Sequence, residues 1–122
     1  MVRGEIWLVN LPFTGNSIQG GGIRPMIIAS NTMACKYSPV IHAIPTTGQA
    51  KKRMPTHVQI PISCGLIRTS TALCEQVMLL PKDAFIKKVG YCNDYVMDKI
   101  DRSILIQFGL VTKETVNNFA YA

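Results

Sequence analysis

Gly20-Gly21-Gly22-Ile23-Arg24-Pro25 runs directly into Met26-Ile27-Ile28-Ala29, so a glycine-rich loop delivers a guanidinium to the mouth of an apolar strand. Glycine reaches positive φ easily and lets the backbone approach a bulky ligand with no Cβ in the way. Pro25 fixes its own φ and biases Arg24 towards extended backbone. A guanidinium presented like this suits a phosphate, being always charged and offering a planar fork of donors. The same pattern also fits a hairpin loop whose arginine is merely solvated.

Two further segments could do chemistry. Pro45-Thr46-Thr47-Gly48-Gln49 ends an apolar strand and is followed by Lys51-Lys52-Arg53. Hydroxyls at a strand end can donate to a phosphate oxygen, and a basic triplet can track a nucleic-acid backbone. An ordinary hydroxyl-capped turn leading into a solvated loop is the alternative. The other segment is Ala72-Leu73-Cys74-Glu75-Gln76-Val77-Met78. A carboxylate amid apolar strand residues costs free energy unless partnered. Glu75 therefore either pairs with an arginine as a structural link or lies in a pocket as an acid, base or ligand. His42, between Ile41 and Ala43, reads as a satisfied core or interface histidine, and His57 as an exposed residue on a wet strand face. Trp7 and Tyr37 could stack on bases, Trp7 being equally a core anchor. There is no nucleophile elbow, Walker loop, dinucleotide fingerprint or Cys/His catalytic pair.

These residues need a scaffold, and 122 residues suffice for one domain. Apolar residues are 48 % and charged ones 16 %, a globular composition. No uncharged apolar run approaches the roughly 20 residues that span a bilayer, and Glu5 and Asn10 interrupt any signal-peptide core. Cys35, Cys64, Cys74 and Cys92 show no CxxC pairing or metal spacing, which predicts reduced structural thiols and a cytoplasmic location.

Thirteen basic residues against seven acidic ones give a net charge of +6, with Asp94, Asp98 and Asp101 clustered late in the chain. The first ninety residues are therefore strongly basic, and a polyanion is the natural partner. A two-metal nuclease needs clustered carboxylates, and outside the late cluster there are only Glu5, Glu75, Asp83 and Glu114, far apart. Nucleic-acid cleavage by this chain would then proceed without metal. The available route is RNA transesterification, with a base for the 2′-OH, donors for the phosphorane and an acid for the 5′ oxygen.

Strand signals dominate the first three quarters: 4–11, 25–30, 39–45, 56–62, a long central strand 70–80, and 86–91. Residues 12–22 form a long loop of the functional kind. The period then changes to a helix over about 93–108, with Asn93 as N-cap, Met97, Ile100, Ile104 and Phe108 as apolar stripe, and Gly109 as C′ residue. The three aspartates read as its solvated face. Residues 1–110 thus form a mainly β domain with a C-terminal helix, a small bent sheet or barrel, and 111–122 a loose tail.

Taken in order, Arg3-Gly4-Glu5-Ile6-Trp7-Leu8-Val9, Gly15 to Pro25, Ile44-Pro45-Thr46-Thr47, Pro55-Thr56-His57-Val58 and Leu73-Cys74-Glu75-Gln76-Val77 resemble the MazF/PemK/Kid family of toxin endoribonucleases. The resemblance runs from about residue 2 to 110. It implies an SH3-like barrel of the CcdB/PemK type, a homodimer, and cleavage of single-stranded mRNA at a short sequence without metal or other cofactor. The products would carry 2′,3′-cyclic phosphate and 5′-OH ends. Arg24 and Thr46 would be catalytic, with Thr47 the second candidate hydroxyl. Ser17, Gln19, Thr47, Lys51, Lys52, Arg53, Glu75 and Gln76 would bind RNA. An acidic, MazE-like antitoxin would occupy the same groove. Ile18 stands where the family carries a glutamate, with an extra glycine after Gln19. Leu73 and Glu75 stand where the plasmid branch has arginine and aspartate, so that branch's roles do not transfer. Toxins of the same fold that inhibit DNA gyrase, and non-catalytic RNA-binding barrels, remain the alternatives.

Overall fold

The computed structural model describes residues 1–11, 22–49, 52–112 and 114. Seven strands and two helices follow one another as β1 (Glu5–Leu11), β2 (Gly22–Ile28), α1 (Thr32–Tyr37), β3 (Val40–Thr47), β4 (His57–Ile60), β5 (Ser70–Leu73), β6 (Met78–Pro81), β7 (Phe85–Tyr91) and α2 (Asp94–Gln107). The sheet runs β4-β5-β3-β2-β1-β7, with β6 also on β3, and every pairing is antiparallel. This is the mainly β architecture with one late helix that the sequence predicts.

β3 is the strand that bends the sheet. Its first half, Val40–Ala43, pairs with β6, and its end, Thr46–Thr47, pairs with β5 on the same edge. Between β5 and β6 the chain makes a 3-10 turn, Cys74–Gln76, closed by Val77 N–H donating to the Cys74 carbonyl. The long strand expected over 70–80 is therefore two short ones. A straight strand there would lie along one flat edge, and the turn lets the chain follow both halves of the curved β3.

From Met26 to Ile28 strand β2 is buried on both faces, which explains its unbroken apolar run. Ile27 packs with Ile6, Ile44, Val58, Ile60 and Ala72 beneath Val96 and Ile100 of α2. Met26 and Ile28 face the other way, with Val9, Ile41, Ala43 and Phe85. Burying a side chain of this size is worth about 1.5–3 kcal/mol. Helix α2 starts as expected, with the Asn93 side chain accepting from Val96 N–H, and ends before Gly109 at φ 71°. Its buried line is Val96, Ile100 and Ser103, and Phe108 at the end is exposed. The helix face is also less solvated than expected, since Asp101 pairs with Arg3 at 2.7 Å. Helix α1 was not visible in the sequence. It is six residues long and begins with the Asn31 side chain accepting from Ala34 N–H. All four cysteines are free and buried. No described helix is long and apolar enough to cross a membrane.

Candidate active site

Arg24 is the third residue of β2, opposite Val9 of β1, and is half-buried. Gly22, two residues before it, has φ 109°, a conformation L side chains rarely adopt, and a Cβ there would meet no neighbour. The glycine is thus needed for the backbone path rather than for room. Among the described residues no carboxylate pairs with Arg24.

The register Met26–Pro45 and Ile27–Ile44 carries the end of β3 to the same place. There the Thr46 hydroxyl donates to the Pro25 carbonyl at 3.0 Å, joining the residue after Arg24 to the strand 21 positions on. Thr46 is buried, whereas Thr47 is half-buried. Thr47 Oγ1 accepts from Gln49 N–H at 3.2 Å. That bond uses an oxygen lone pair and leaves the hydroxyl proton uncommitted among the described residues. The two hydroxyls therefore differ: one donates to its own backbone, the other retains its donor. Lys52 and Arg53 are exposed just beyond. Ser17, Gln19 and Lys51 lie outside the described residues.

Glu75 sits in the turn between β5 and β6, and its partners are not arginines. Its carboxylate accepts from the Thr56 hydroxyl at 3.0 Å, and its other oxygen lies 3.1 Å from His57 Nε2. Burial pushes this carboxyl up, but the backbone N–H, the His57 ring and the Thr56 hydroxyl outweigh that effect and bring it below its ordinary value of 4.5. His57, expected to be exposed, has a side chain only 8 % accessible. The alternation of β4 placed it on a wet face, but the Glu75 turn folds over it. His57 Nδ1 and Gln76 Oε1 are both buried with no partner among the described residues. His42 departs in the opposite direction from the core reading. It is exposed on β3 and lines a groove of about 410 Å³ with Arg3, Asn31, Val77 and Phe108. Trp7 is half-buried and donates from Nε1 to Glu5 at 3.1 Å. Tyr37 is 68 % exposed at the end of α1.

The sequence reading missed Arg68. The place a Cβ on Gly48 would take is already filled by the Arg68 guanidinium. Nothing local could have shown this, because the two residues meet only when β3 and β5 pair. Among the described residues no group of three or more His, Cys, Asp or Glu could hold a metal ion.

Comparison with known proteins bears on this geometry. Residues 2–108 match the family described as PemK-like, MazF-like toxin of type II toxin–antitoxin system. Endoribonuclease MazF of Staphylococcus saprophyticus is 38 % identical over 114 residues, covering 92 % of this chain and 94 % of that one. Endoribonuclease EndoA of Bacillus subtilis is 31 % identical over 112 residues, covering 89 % and 95 %. Among solved structures, a mycobacterial endoribonuclease in complex with its cognate antitoxin superimposes with a TM-score of 0.76 at 23 % identity, over 91 % of this chain and 97 % of that one. MazF from a Deinococcus radiodurans MazE–MazF complex superimposes with a TM-score of 0.71 at 20 % identity, over 89 % and 95 %. The structures share the fold, and the sequence match reaches nearly end to end: this chain belongs to the PemK-like, MazF-like toxin family of type II toxin–antitoxin systems.

Proposed function

We propose that the chain is an endoribonuclease toxin that cuts single-stranded mRNA by internal transesterification, and that an acidic antitoxin neutralises it. The observation that carries this is an arginine with no acidic partner among the described residues, held by a glycine-shaped turn beside two strand-end hydroxyls. In this reaction the 2′ oxygen attacks the adjacent phosphorus and the 5′ oxygen leaves, so the products are a 2′,3′-cyclic phosphate and a 5′-OH. Charge builds on the non-bridging oxygens, and a preorganised guanidinium is worth most where charge develops. Arg24 takes that role. A strand-end hydroxyl supplies a further donor, with Thr46 the residue the family resemblance selects and Thr47 the one whose proton is free.

No described carboxylate cluster competes for a metal, so the reading is of metal-independent cleavage. Thr47, Lys52 and Arg53 offer open polar groups for the RNA strand, as Ser17, Gln19 and Lys51 would from the flanking loops. Glu75, engaged by Thr56 and His57, and its neighbour Gln76 would meet the RNA beside these groups. A cytoplasmic homodimer completes the proposal, with the basic surface shared by RNA and antitoxin. The test is to incubate the protein, free of antitoxin, with a long single-stranded RNA in excess EDTA and to map the ends. Cuts recurring at one short sequence, with 5′-OH ends and none in matching DNA, are expected. Intact RNA would remove the ribonuclease reading and point to a protein target.

A further inference from the structure

Arg68 stands two residues before β5, exposed, with its carbonyl accepting from the Ser70 hydroxyl at 3.1 Å. Its guanidinium lies against Gly48, in the space a Cβ would need. Gly48, unlike Gly22, has no positive φ to explain it; what it supplies is room. The residue before it, Thr47, has an uncommitted hydroxyl proton and faces Thr71 across the β3–β5 register. Among the described residues no carboxylate pairs with Arg68. A guanidinium laid on a glycine, one residue from a hydroxyl whose proton no described residue takes and, like Arg24, without a described carboxylate partner, has the chemistry of an anion contact on the same strand end.

We propose that Arg68 binds the RNA backbone at a phosphate flanking the one that Arg24 meets, and that Gly48 seats its guanidinium there. This rests on the ribonuclease reading and deepens it, since it assigns a backbone contact that carries no base information. A planar fork on a phosphate is a charge-assisted pair, and its loss costs roughly tenfold or somewhat more in affinity.

The experiment uses a single-stranded RNA spanning a site that the wild-type protein cuts, 2′-O-methylated so that it cannot react. Binding is measured against KCl for wild type, Arg68→Ala, Arg68→Lys and Gly48→Ala, alongside KM and kcat on unmodified RNA. Arg68→Ala should weaken binding about tenfold, raise KM more than it lowers kcat, and make the slope of log K against log salt shallower by about 0.7, the single-strand value for one phosphate. Arg68→Lys keeps the charge and should restore the slope while recovering only part of the affinity. Gly48→Ala displaces the guanidinium without removing charge and should also raise KM. An Arg68→Ala protein that cuts with a wild-type slope and KM would overturn the proposal. Should Arg68→Ala fail to fold, unchanged affinity in Gly48→Ala would overturn it equally. Wild-type protein that neither binds nor cuts RNA would instead remove the ribonuclease reading, and Arg68's role with it.

Discussion

At the end of the β2–β3 pair, Arg24, Thr47 and Arg68 carry donors that no described residue takes up. One strand further on, the Glu75 carboxylate accepts from the Thr56 hydroxyl and lies against His57 Nε2. Both clusters sit at strand ends. They differ in partnering. A polar group whose hydrogen bonds close within the chain rigidifies its surroundings, whereas a cation that no described residue pairs is available to a ligand. The difference teaches that polarity in an apolar strand marks a place of consequence, and that the hydrogen-bond partners decide whether it is structural or chemical.

The sharpest way to break this contrast is Arg24→Ala. Cleavage should fall by at least the 10²- to 10³-fold typical of losing one preorganised donor, with the melting temperature unchanged. Near-normal cleavage would show that the open cluster is not the chemical one.

The opposite behaviour is expected of Glu75→Ala. It strands the Thr56 hydroxyl and the His57 ring, so stability should drop by about 1–3 kcal/mol in denaturant titrations, with cleavage per folded molecule reduced only a few-fold. A collapse of activity with normal stability would make RNA contact the main role of Glu75. The same cluster has a pH signature. A carboxyl lowered in the folded state gives its stabilisation in full above its unfolded value, near 4.5, and loses it as pH falls through the folded value. Unfolding free energy should therefore decline below about pH 4.5, and Glu75→Gln should flatten that decline. An identical acid limb in the variant would put the linkage elsewhere, Glu5 being the next lowered carboxyl.

Within the open cluster, Thr46→Ala and Thr47→Ala divide the labour. Thr46→Ala removes one neutral hydrogen bond to Pro25, worth about 1 kcal/mol, and should lower cleavage by about tenfold or less. A silent Thr46→Ala beside an inactive Thr47→Ala would move the catalytic hydroxyl by one residue. The smallest effect is expected at the Arg3–Asp101 pair, about a third exposed at both ends. Arg3→Ala should cost less than about 1 kcal/mol and nothing in cleavage. A larger loss would mean that α2 depends on this link to the segment before β1 more than on Val96 and Ile100.

Much of the frame was legible because it is local. Asn93 and Gly109 bracket α2 through their own side chain and backbone, and both perform as capping residues. Strands β1 and β7 fall within a residue of the expected bounds, since alternation and β-formers act within a strand. Thr32–Tyr37 was missed because six residues carry too little periodicity to stand out. The 70–80 strand was over-extended because Cys74-Glu75-Gln76 contains no glycine or proline, and the turn depends on partners from β4.

The sequence by itself determined the mainly β class with a late helix, the basic charge, the α2 caps and the delivery of Arg24 by a glycine turn, all set by neighbours in the chain. It could not determine that His57 would be covered, that Glu75 would be occupied, or that Arg68 would rest on Gly48. Each of these is a meeting of segments 18 to 20 positions apart, brought about by the pairing of β3, β4 and β5. Only the tertiary structure decides such meetings, because strand pairing, not chain proximity, sets which side chains share a site.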